Sequence, residues 1–291
     1  MTDQALPSAV AEWEDSGRYI THDGHRIFVL DTNSHPGRTI FILHGFPSSS
    51  FDWHLVVPEL AKQARVVTFD FLGFGLSDKP DQHYSLFEQA DVAETVAADC
   101  GIEECVLVSH DMGDTVAAEL LKRSTEGKLS FKIGRAILTN GSIFMHLVQL
   151  SAGQLFLLEL PDERLSEPMQ IDGLTPGLRA TFSTDNSPPD DELQAMVELI
   201  QHNGGDQLLP RTVRYIEERR ANQERWTAGL VDYPGPLTAL WGEQDPIAVL
   251  PMPHHLKELR PETEVVTWPD VSHWPSIEVP ERVTEAILAR L

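Results

Sequence analysis

The stretch Cys105–Ala118, with the sequence CVLVSHDMGDTVAA, reads as a buried strand, a sharp turn and the start of a helix. Its run 106–108 is short and apolar, as is typical of a buried parallel strand. Asp111 follows, with the small residues Ser109 and Gly113 two positions away on either side. This spacing matches G-x-nucleophile-x-G, the pattern that places a reactive side chain on a strained strand-to-helix turn. We therefore predict that the fold is organised around Asp111 as a nucleophile.

A simpler role for Asp111 is to cap the helix that follows it. An Asp before an apolar helical run commonly accepts a hydrogen bond from a backbone N–H of the first turn. As a nucleophile it would instead have its negative charge stabilised by the helix N-terminus. The two roles cannot be separated at this stretch, so the choice depends on catalytic partners elsewhere in the chain.

The composition excludes several classes of protein. The chain has 291 residues, of which 41% are apolar, enough for a substantial core. Its formal net charge is −23, which disfavours nucleic acid and anionic membrane surfaces as partners. We see no signal peptide and no apolar run long enough to span a membrane. Only two cysteines are present, which suits a reducing compartment and offers no metal framework. We therefore expect a cytoplasmic protein.

Strand-like and helical segments alternate along most of the chain. Around Asp23-Gly24, segments 17–21 and 26–31 predict an antiparallel hairpin. Further strands are predicted over Thr39–Leu43, Arg65–Phe69, Arg135–Thr139, Leu237–Trp241 and Thr263–Trp268, and helices over residues 51–63, 86–99 and 112–124. Such alternation favours an α/β fold with a mostly parallel sheet flanked by helices.

The alternation stops between residues 143 and 226, where no strand pattern interrupts a series of helical stretches, prolines and glycines. We interpret this interval as an inserted helical cap, with its clearest helices over Asp190–Gln201 and Arg211–Glu224. The predicted domains are a core formed by residues 1–142 and 227–291 and a cap formed by residues 143–226. The arginines of the second cap helix are expected to form a solvated face.

Three ionisable residues follow the carboxyl ends of predicted strands: Asp111, Asp245 and His273. Ligands bind at that edge of an open α/β sheet. The order nucleophile, acid, histidine is that of the α/β-hydrolase triad, and each residue alone has a structural alternative as a cap, turn former or core histidine. Asn140 also follows a strand, but it is neutral, so Asp245 is the better candidate for the acid.

Four motifs together resemble the epoxide hydrolase and haloalkane dehalogenase branch of the α/β-hydrolase family. They are His44-Gly-Phe-Pro47, Asp70-Phe-Leu-Gly-Phe-Gly-Leu-Ser-Asp-Lys-Pro80, Ser109-His-Asp-Met-Gly113 and Val271-Ser-His273. The resemblance extends from about Arg18 to the carboxyl terminus. It implies a hydrolase with an aspartate nucleophile, an alkyl-enzyme ester intermediate and no cofactor or metal.

The resemblance also assigns the reaction steps to residues. A carboxylate can displace at a saturated carbon, and water then attacks the carbonyl of the resulting ester. His273 would be the general base for that water, with Asp245 holding its tautomer. The backbone N–H groups of Phe46 and Met112 would form the oxyanion hole. The resemblance implies a small apolar substrate, an epoxide or a haloalkane, that reacts with water. The oligomeric state, monomer or homodimer, stays open.

The leaving group separates the two activities. Dehalogenases of this branch typically bind halide with a Trp after the nucleophile and an Asn in the first loop, where this chain has Met112 and Phe46. An epoxide needs a proton donor for the alkoxide that it expels, and Tyr215 resembles in character the second cap tyrosine of epoxide hydrolases. Its alternative role is an ordinary packing contact of an amphipathic helix. The first tyrosine has no counterpart, and His146 or His202 could replace it. Epoxide hydrolase is thus the first prediction, dehalogenase the second and a non-catalytic ligand-binding protein the third.

Overall fold

A computed structural model describes residues 8–35, 37–169 and 171–291 of the chain. Eight strands form one sheet: β1 (Arg18–His22), β2 (His25–Asp31), β3 (Thr39–Leu43), β4 (Arg65–Phe69), β5 (Glu104–His110), β6 (Lys132–Thr139), β7 (Leu237–Gly242) and β8 (Glu264–Trp268). Their order in the sheet is β1-β2-β4-β3-β5-β6-β7-β8. Strands β3 to β8 are all parallel, while β1 and β2 form an antiparallel hairpin that pairs with β4. The predicted α/β fold and its antiparallel edge are confirmed.

The helices of the described residues precede, connect and follow these strands. They are α1 (Ser8–Ser16), α2 (Val57–Leu60), α3 (Leu86–Asp99), α4 (Met112–Thr125), α5 (Ala152–Glu159), α6 (Ile171–Arg179), α7 (Asp190–Gln201), α8 (Leu209–Thr212), α9 (Tyr215–Ala221), α10 (Gln223–Val231), α11 (Pro251–Leu259), α12 (Pro275–Glu278) and α13 (Pro280–Leu288). Successive side chains of a strand point to opposite faces. In β3, accordingly, Phe41 and Leu43 pack into one apolar core and Ile40 and Ile42 into the other.

Between β6 and β7 the described residues form helices and connecting loops and no strand. The predicted boundary at residue 226 falls inside α10, which packs against α4 of the sheet layer. A Cβ atom at Gly229 would lie 2.2 Å from the carbonyl oxygen of Ala118, so only glycine allows these two helices to approach so closely. The division into a core and a cap stays a prediction, and α10 connects the two parts.

Two helix predictions are wrong in their extent. The helix expected over residues 51–63 is a 3₁₀ turn at Ser50–Trp53 followed by the short α2. Pro58 lies in the first turn of α2, where its missing N–H is tolerated. A new helix therefore begins there, and the 3₁₀ turn does not continue into it. The single helix expected over residues 211–224 is divided into α8, α9 and the start of α10. Asn222 has non-helical dihedral angles, and its side chain donates a hydrogen bond to Glu218 O.

The topology brings the loops that follow β3, β5, β7 and β8 to one edge of the sheet. In the register of β3 with β5, Leu43 lies opposite Ser109, so the Phe46 loop lies beside the Asp111 turn. The loops after β7 and β8 carry Asp245 and His273. In the part of the chain that the structure describes, no helix combines the length and apolar character that a membrane span requires.

Candidate active site

Asp111 occupies a strained turn between β5 and α4. Its backbone φ is 47°, in the left-handed region that residues other than glycine rarely adopt. The turn is held by the Asp111 N–H, which donates to Thr139 O at 3.1 Å, and by the Asp114 N–H, which donates to Asp111 O at 3.1 Å. The Asp111 side chain makes no capping hydrogen bond to α4. The simpler role as a helix cap is therefore wrong, and the carboxylate is free for another function.

Two glycines are required by the close packing around this turn. A Cβ atom at Gly45 would lie 2.8 Å from the Cβ atom of Asp111. One at Gly113 would lie 2.5 Å from the carbonyl oxygen of His44. Both distances are shorter than real contacts of Cβ atoms, and Gly113 meets backbone, which cannot easily move. The small residue expected two positions after the nucleophile thus lets the first loop pack against the start of α4.

The two oxygens of the Asp111 carboxylate have different environments. The Phe46 N–H donates a hydrogen bond to Oδ2 at 2.9 Å. Oδ1 is buried and has no hydrogen-bond partner among the described residues, which is rare for a buried carboxylate oxygen. The predicted second oxyanion donor, Met112, begins α4, and its N–H makes no hydrogen bond to this carboxylate in the described structure. One oxygen is held in place and the other is left available.

His273 and Asp245 form a buried pair. His273 Nδ1 lies 2.8 Å from Asp245 Oδ2, which also accepts a hydrogen bond from Asn140 Nδ2 at 2.7 Å. The N–H groups of Ile247 and Ala248 donate to Oδ1 at 2.7 and 2.9 Å. Burial opposes the charge of Asp245, but the His273 cation and these hydrogen bonds lower its pKa below the ordinary value. Asp245 therefore stays ionised and places the Nδ1 proton, so Nε2 remains to accept one.

The charge of His273 is stabilised by its carboxylate neighbours. Burial lowers its pKa, but the negative charges of Asp245 and Asp111 outweigh burial and raise the pKa to about 9. Asp111 and His273 are also connected by a contact between their loops. His110 joins them: it directly precedes Asp111, and its Nε2 lies 2.7 Å from the carbonyl oxygen of His273.

The loop that carries His273 is held by Glu278, a residue that sequence reasoning missed. Its carboxylate accepts hydrogen bonds from the N–H groups of Ser272 and Trp274, on either side of His273, at 3.0 Å. It also accepts one from the Ser183 N–H, between β6 and β7, at 3.0 Å. Glu278 is 7% exposed. In the sequence, the only signal is that a Glu lies shortly after His273 in a mostly apolar segment.

Tyr215 begins α9 and is 3% exposed. Its ring centre lies 5.3 Å from that of Phe46, the residue whose N–H binds Asp111. Its phenol oxygen accepts a hydrogen bond from Gln154 Nε2 at 3.2 Å. Burial and the charge of Asp111 both raise the pKa of Tyr215, so the phenol keeps its proton. The structure thus brings the predicted cap tyrosine next to the Phe46 loop, whose N–H binds Asp111.

The two histidines considered as a second donor lie elsewhere. His146 is exposed, and its ring packs 4.9 Å from that of His255. His202 Nε2 lies 2.9 Å from Asn203 Nδ2. Neither is hydrogen bonded to Tyr215 or Asp111 in the described structure. The role of a second donor is therefore not supported for either histidine.

The prediction of a solvated arginine face on the second cap helix is wrong for Arg214 and Arg219. Both are buried, and Arg219 Nε donates to Thr115 Oγ1 of α4 at 2.8 Å. Glu218 of the same helix accepts hydrogen bonds from Ser85 Oγ and Leu86 N–H at the start of α3. Sequence patterning suggested solvent because the segment is rich in charge, but Arg219 and Glu218 bind the sheet layer, and Arg214 donates to carbonyl oxygens such as Pro210 O.

Asp114 lies in the first turn of α4. It is fully buried, and its Oδ1 accepts a hydrogen bond from Ser109 Oγ of β5 at 2.5 Å. Burial raises its pKa well above the ordinary value, which favours the neutral acid. Within the described ranges, no three His, Cys, Asp or Glu side chains form a metal-binding group.

Comparisons with known proteins agree with this architecture. Residues 40–286 match the model of the Alpha/beta hydrolase family. The chain is 40% identical over 286 residues to the putative hydrolase LipZ of Mycobacterium tuberculosis (strain ATCC 25618 / H37Rv). This alignment covers 97% of this chain and 98% of LipZ. It is 34% identical over 290 residues to the mesoderm-specific transcript protein of Mus musculus, with 94% and 85% covered. An alpha/beta hydrolase fold protein from Burkholderia ambifaria has a similar solved structure, with a TM-score of 0.77, 22% identity and 94% and 97% covered.

These matches confirm the family resemblance drawn from the sequence motifs. The segments Phe69–Pro80, Phe87–Ala90 and Ser109–Asp114 resemble the mesoderm-specific transcript protein, and the 34% identity over 290 residues confirms a resemblance to that protein. The solved structure is below 25% identity, so it supports the fold and not the substrate. On the family model, which spans most of the chain, and on the relatives that align along nearly all of it, this protein belongs to the α/β-hydrolase family and is a hydrolase of that superfamily.

Proposed function

We propose that this hydrolase opens epoxides through an aspartyl ester and releases vicinal diols. The observation that carries the proposal is the asymmetry of the Asp111 carboxylate. Oδ2 is held by the Phe46 N–H, while Oδ1 is buried without a partner among the described residues. A carboxylate that attacks with one oxygen needs its other oxygen in the oxyanion hole, because that oxygen becomes the carbonyl of the ester.

In the first step Asp111 Oδ1 attacks an epoxide carbon. A carbon–oxygen bond forms to the enzyme, the ring carbon–oxygen bond breaks, and the electron pair moves to the ring oxygen. Tyr215 donates its proton or a hydrogen bond to this developing alkoxide, a role that suits a phenol kept protonated by burial and by the charge of Asp111. The product is an ester of Asp111 that carries a neighbouring hydroxyl group.

In the second step water attacks the Asp111 carbonyl carbon. His273 Nε2 takes a proton from the water, and Asp245 holds the imidazole and stabilises the cation that forms. The negative charge that develops on Oδ2 is stabilised by the Phe46 N–H, with the Met112 N–H as the predicted second donor. Each such donor contributes about 3–4 kcal/mol in related sites. Collapse releases the diol, which takes the proton from His273. The second proton of the water is left on the Asp111 carboxyl; its loss restores the carboxylate, and Tyr215 regains the proton that it gave up in the first step.

The site favours a small apolar substrate, because Phe46, Met112 and Tyr215 present buried apolar surface beside Asp111. Haloalkane dehalogenase is the alternative activity, since it uses the same nucleophile, base and acid. It is less well supported, because the side chains of Phe46 and Met112 have no N–H to bind a halide. The non-catalytic alternative does not account for the hydrogen-bonded Asp245–His273 pair. The cytoplasmic location stays a prediction.

The proposal is tested by supplying aryl and alkyl epoxides and bromoalkanes to the parent protein and assaying diol and free bromide. His273→Gln should accumulate the ester, since the base for its hydrolysis is absent. Mass spectrometry should then find the substrate adduct on the peptide that contains Asp111. The control is His146→Gln, which changes an exposed histidine and should turn over normally. Bromide without diol would favour the dehalogenase. An unmodified Asp111 peptide at saturating substrate would contradict an aspartyl ester altogether.

A further inference from the structure

Helix α5 begins with a reciprocal pair of hydrogen bonds between Ser151 and Gln154. The Gln154 N–H donates to Ser151 Oγ at 3.2 Å, and the Ser151 N–H donates to Gln154 Oε1 at 2.9 Å. This capping box satisfies two backbone donors at the start of the helix. It also determines the orientation of the side-chain amide, because a backbone N–H can be bound only by the amide oxygen.

With its oxygen directed to Ser151, Gln154 turns its amide nitrogen towards Tyr215. Nε2 donates to the phenol oxygen at 3.2 Å, and Gln154 is 7% exposed. A phenol has one proton to donate and also accepts hydrogen bonds through its oxygen. Because Gln154 is a donor, the Tyr215 proton cannot be used in this contact. No other partner of the Tyr215 hydroxyl occurs among the described residues, so its proton remains available to a substrate.

We propose that Gln154 is a positioning residue that keeps the Tyr215 proton directed at the substrate oxygen. The inference rests on the proposed function for its catalytic consequence. The contact also stabilises the phenol oxygen when it gives up its proton, because the Gln154 N–H continues to donate to the developing negative charge. Arg219 adds to this effect, with its guanidinium carbon 4.9 Å from the centre of the Tyr215 ring.

Gln154→Glu tests the proposal with little change in shape. Glu serves the capping box as well as Gln does, so α5 should form normally. The new carboxylate, however, has an acceptor where Nε2 was a donor, so the Tyr215 proton should be drawn to that carboxylate and away from the substrate. We expect the single-turnover rate of Asp111 ester formation from an epoxide to fall about 10- to 100-fold. The ratio of variant to parent rate should recover as the pH falls and the new carboxyl is protonated.

A double-mutant cycle separates this effect from general damage. In a Tyr215→Phe background, Gln154→Glu should change the rate less than about twofold, because the proton that it redirects is gone. The control is Gln149→Glu, which places the same charge on an exposed residue of the same segment. It should resemble the parent at every pH. Equal losses from Gln154→Glu with and without the Tyr215 hydroxyl would overturn the proposal, as would a ratio independent of pH.

The hydrogen bond between Gln154 and Tyr215 can also be tested by NMR, without turnover. This matters if the parent opens no epoxide, because that result would contradict the proposed function but not the role of Gln154. The chain has four tyrosines, so labelled Cζ resonances are few, and the one absent in Tyr215→Phe belongs to Tyr215. In Gln154→Glu this resonance should move towards its phenolate value, because the phenol then donates to a carboxylate. A resonance that stays in place would show that Gln154 does not direct the Tyr215 proton.

Discussion

The sheet edge and the helices between β6 and β7 contribute to the candidate site in different ways. At the sheet edge, Asp111 and Asp245 are held by backbone N–H groups, those of Phe46, Ile247 and Ala248. Tyr215, between β6 and β7, is held by side chains instead: the Gln154 amide, the Phe46 ring and the Arg219 guanidinium. Backbone positions follow from the strands, whereas side-chain contacts depend on how helices pack. Substitutions of neighbouring side chains should therefore disturb Asp111 and Asp245 little. The same kind of substitution should more readily disturb Tyr215, which acts on the leaving group.

The largest effect is expected from a substitution that removes the contribution of the helices between β6 and β7. Tyr215→Phe should slow Asp111 ester formation from an epoxide by about 10²- to 10⁴-fold, since a general acid is lost while the ring and its packing remain. If a second proton donor exists, the decrease in rate should lie near the lower end of this range. A bromoalkane needs no proton on its leaving group, so its rate, if it is accepted, should change little. Single-turnover kinetics measures both.

A matched control for that variant is Tyr233→Phe. Tyr233 is equally buried, but its hydroxyl donates to Ile133 O at the end of the sheet where β6 begins. Its loss should leave both rates within about threefold of the parent. Parent-like epoxide opening by Tyr215→Phe would exclude Tyr215 as the proton donor and require another donor for the alkoxide.

A smaller effect is expected at Glu278, where the two regions meet. Glu278→Gln replaces an acceptor oxygen with an NH₂ group that faces backbone N–H donors of the His273 loop and of Ser183. The loop should shift, and a misplaced base slows ester hydrolysis by about 10- to 100-fold. Ester formation, which does not use the base, should be nearly unchanged. Rapid-quench measurement of the two half-reactions gives this split directly.

Glu281→Gln is the control, because Glu281 is exposed in the neighbouring helix. It should leave both half-reactions unchanged. If Glu278→Gln slows ester formation and ester hydrolysis equally, Glu278 supports the fold in general. The hydrogen bonds of Glu278 would then not serve to position the His273 loop.

The smallest effect is a change in pH dependence within the sheet-edge half. In the free protein the charges of Asp245 and Asp111 raise the pKa of His273 to about 9. Ester formation removes the charge of Asp111, so the pKa of His273 should fall when the residue must act as a base. Ester hydrolysis needs neutral His273, so its rate should increase with pH. The midpoint of this increase should lie at a lower pH than the midpoint of the His273 titration in the free protein.

The two midpoints come from different measurements on the same protein. Imidazole NMR gives the His273 titration in the free state, and the pH profile of single-turnover ester hydrolysis gives it in the intermediate. Asp245→Asn should lower the free-state value, because the strongest stabilising charge is removed. Identical midpoints in the free protein and in the intermediate would contradict electrostatic coupling between Asp111 and His273.

The order of motifs along the chain determined most of the sheet and its edge. Strands of β-branched and aromatic residues, followed by glycine-containing turns, predicted where Asp111, Asp245 and His273 lie, since parallel strands bring their carboxyl ends together. The glycine of the Asp111 turn was recognisable because a close backbone approach leaves no room for a Cβ atom. The aspartate in the nucleophile position indicated an ester of the enzyme before any geometry was known.

Only the tertiary structure decided which side chains support that constellation. Gln154 and Tyr215 are 61 residues apart, and Glu278 and Ser183 are 95 apart, so no local pattern pairs them. Charge patterning placed Arg219 in solvent, yet the packing of α9 against α4 buries it. Local periodicity and turn chemistry are encoded over a few residues and can be read directly. Contacts between distant helices depend on the complete packing, and this is the physical reason why the sequence alone left them open.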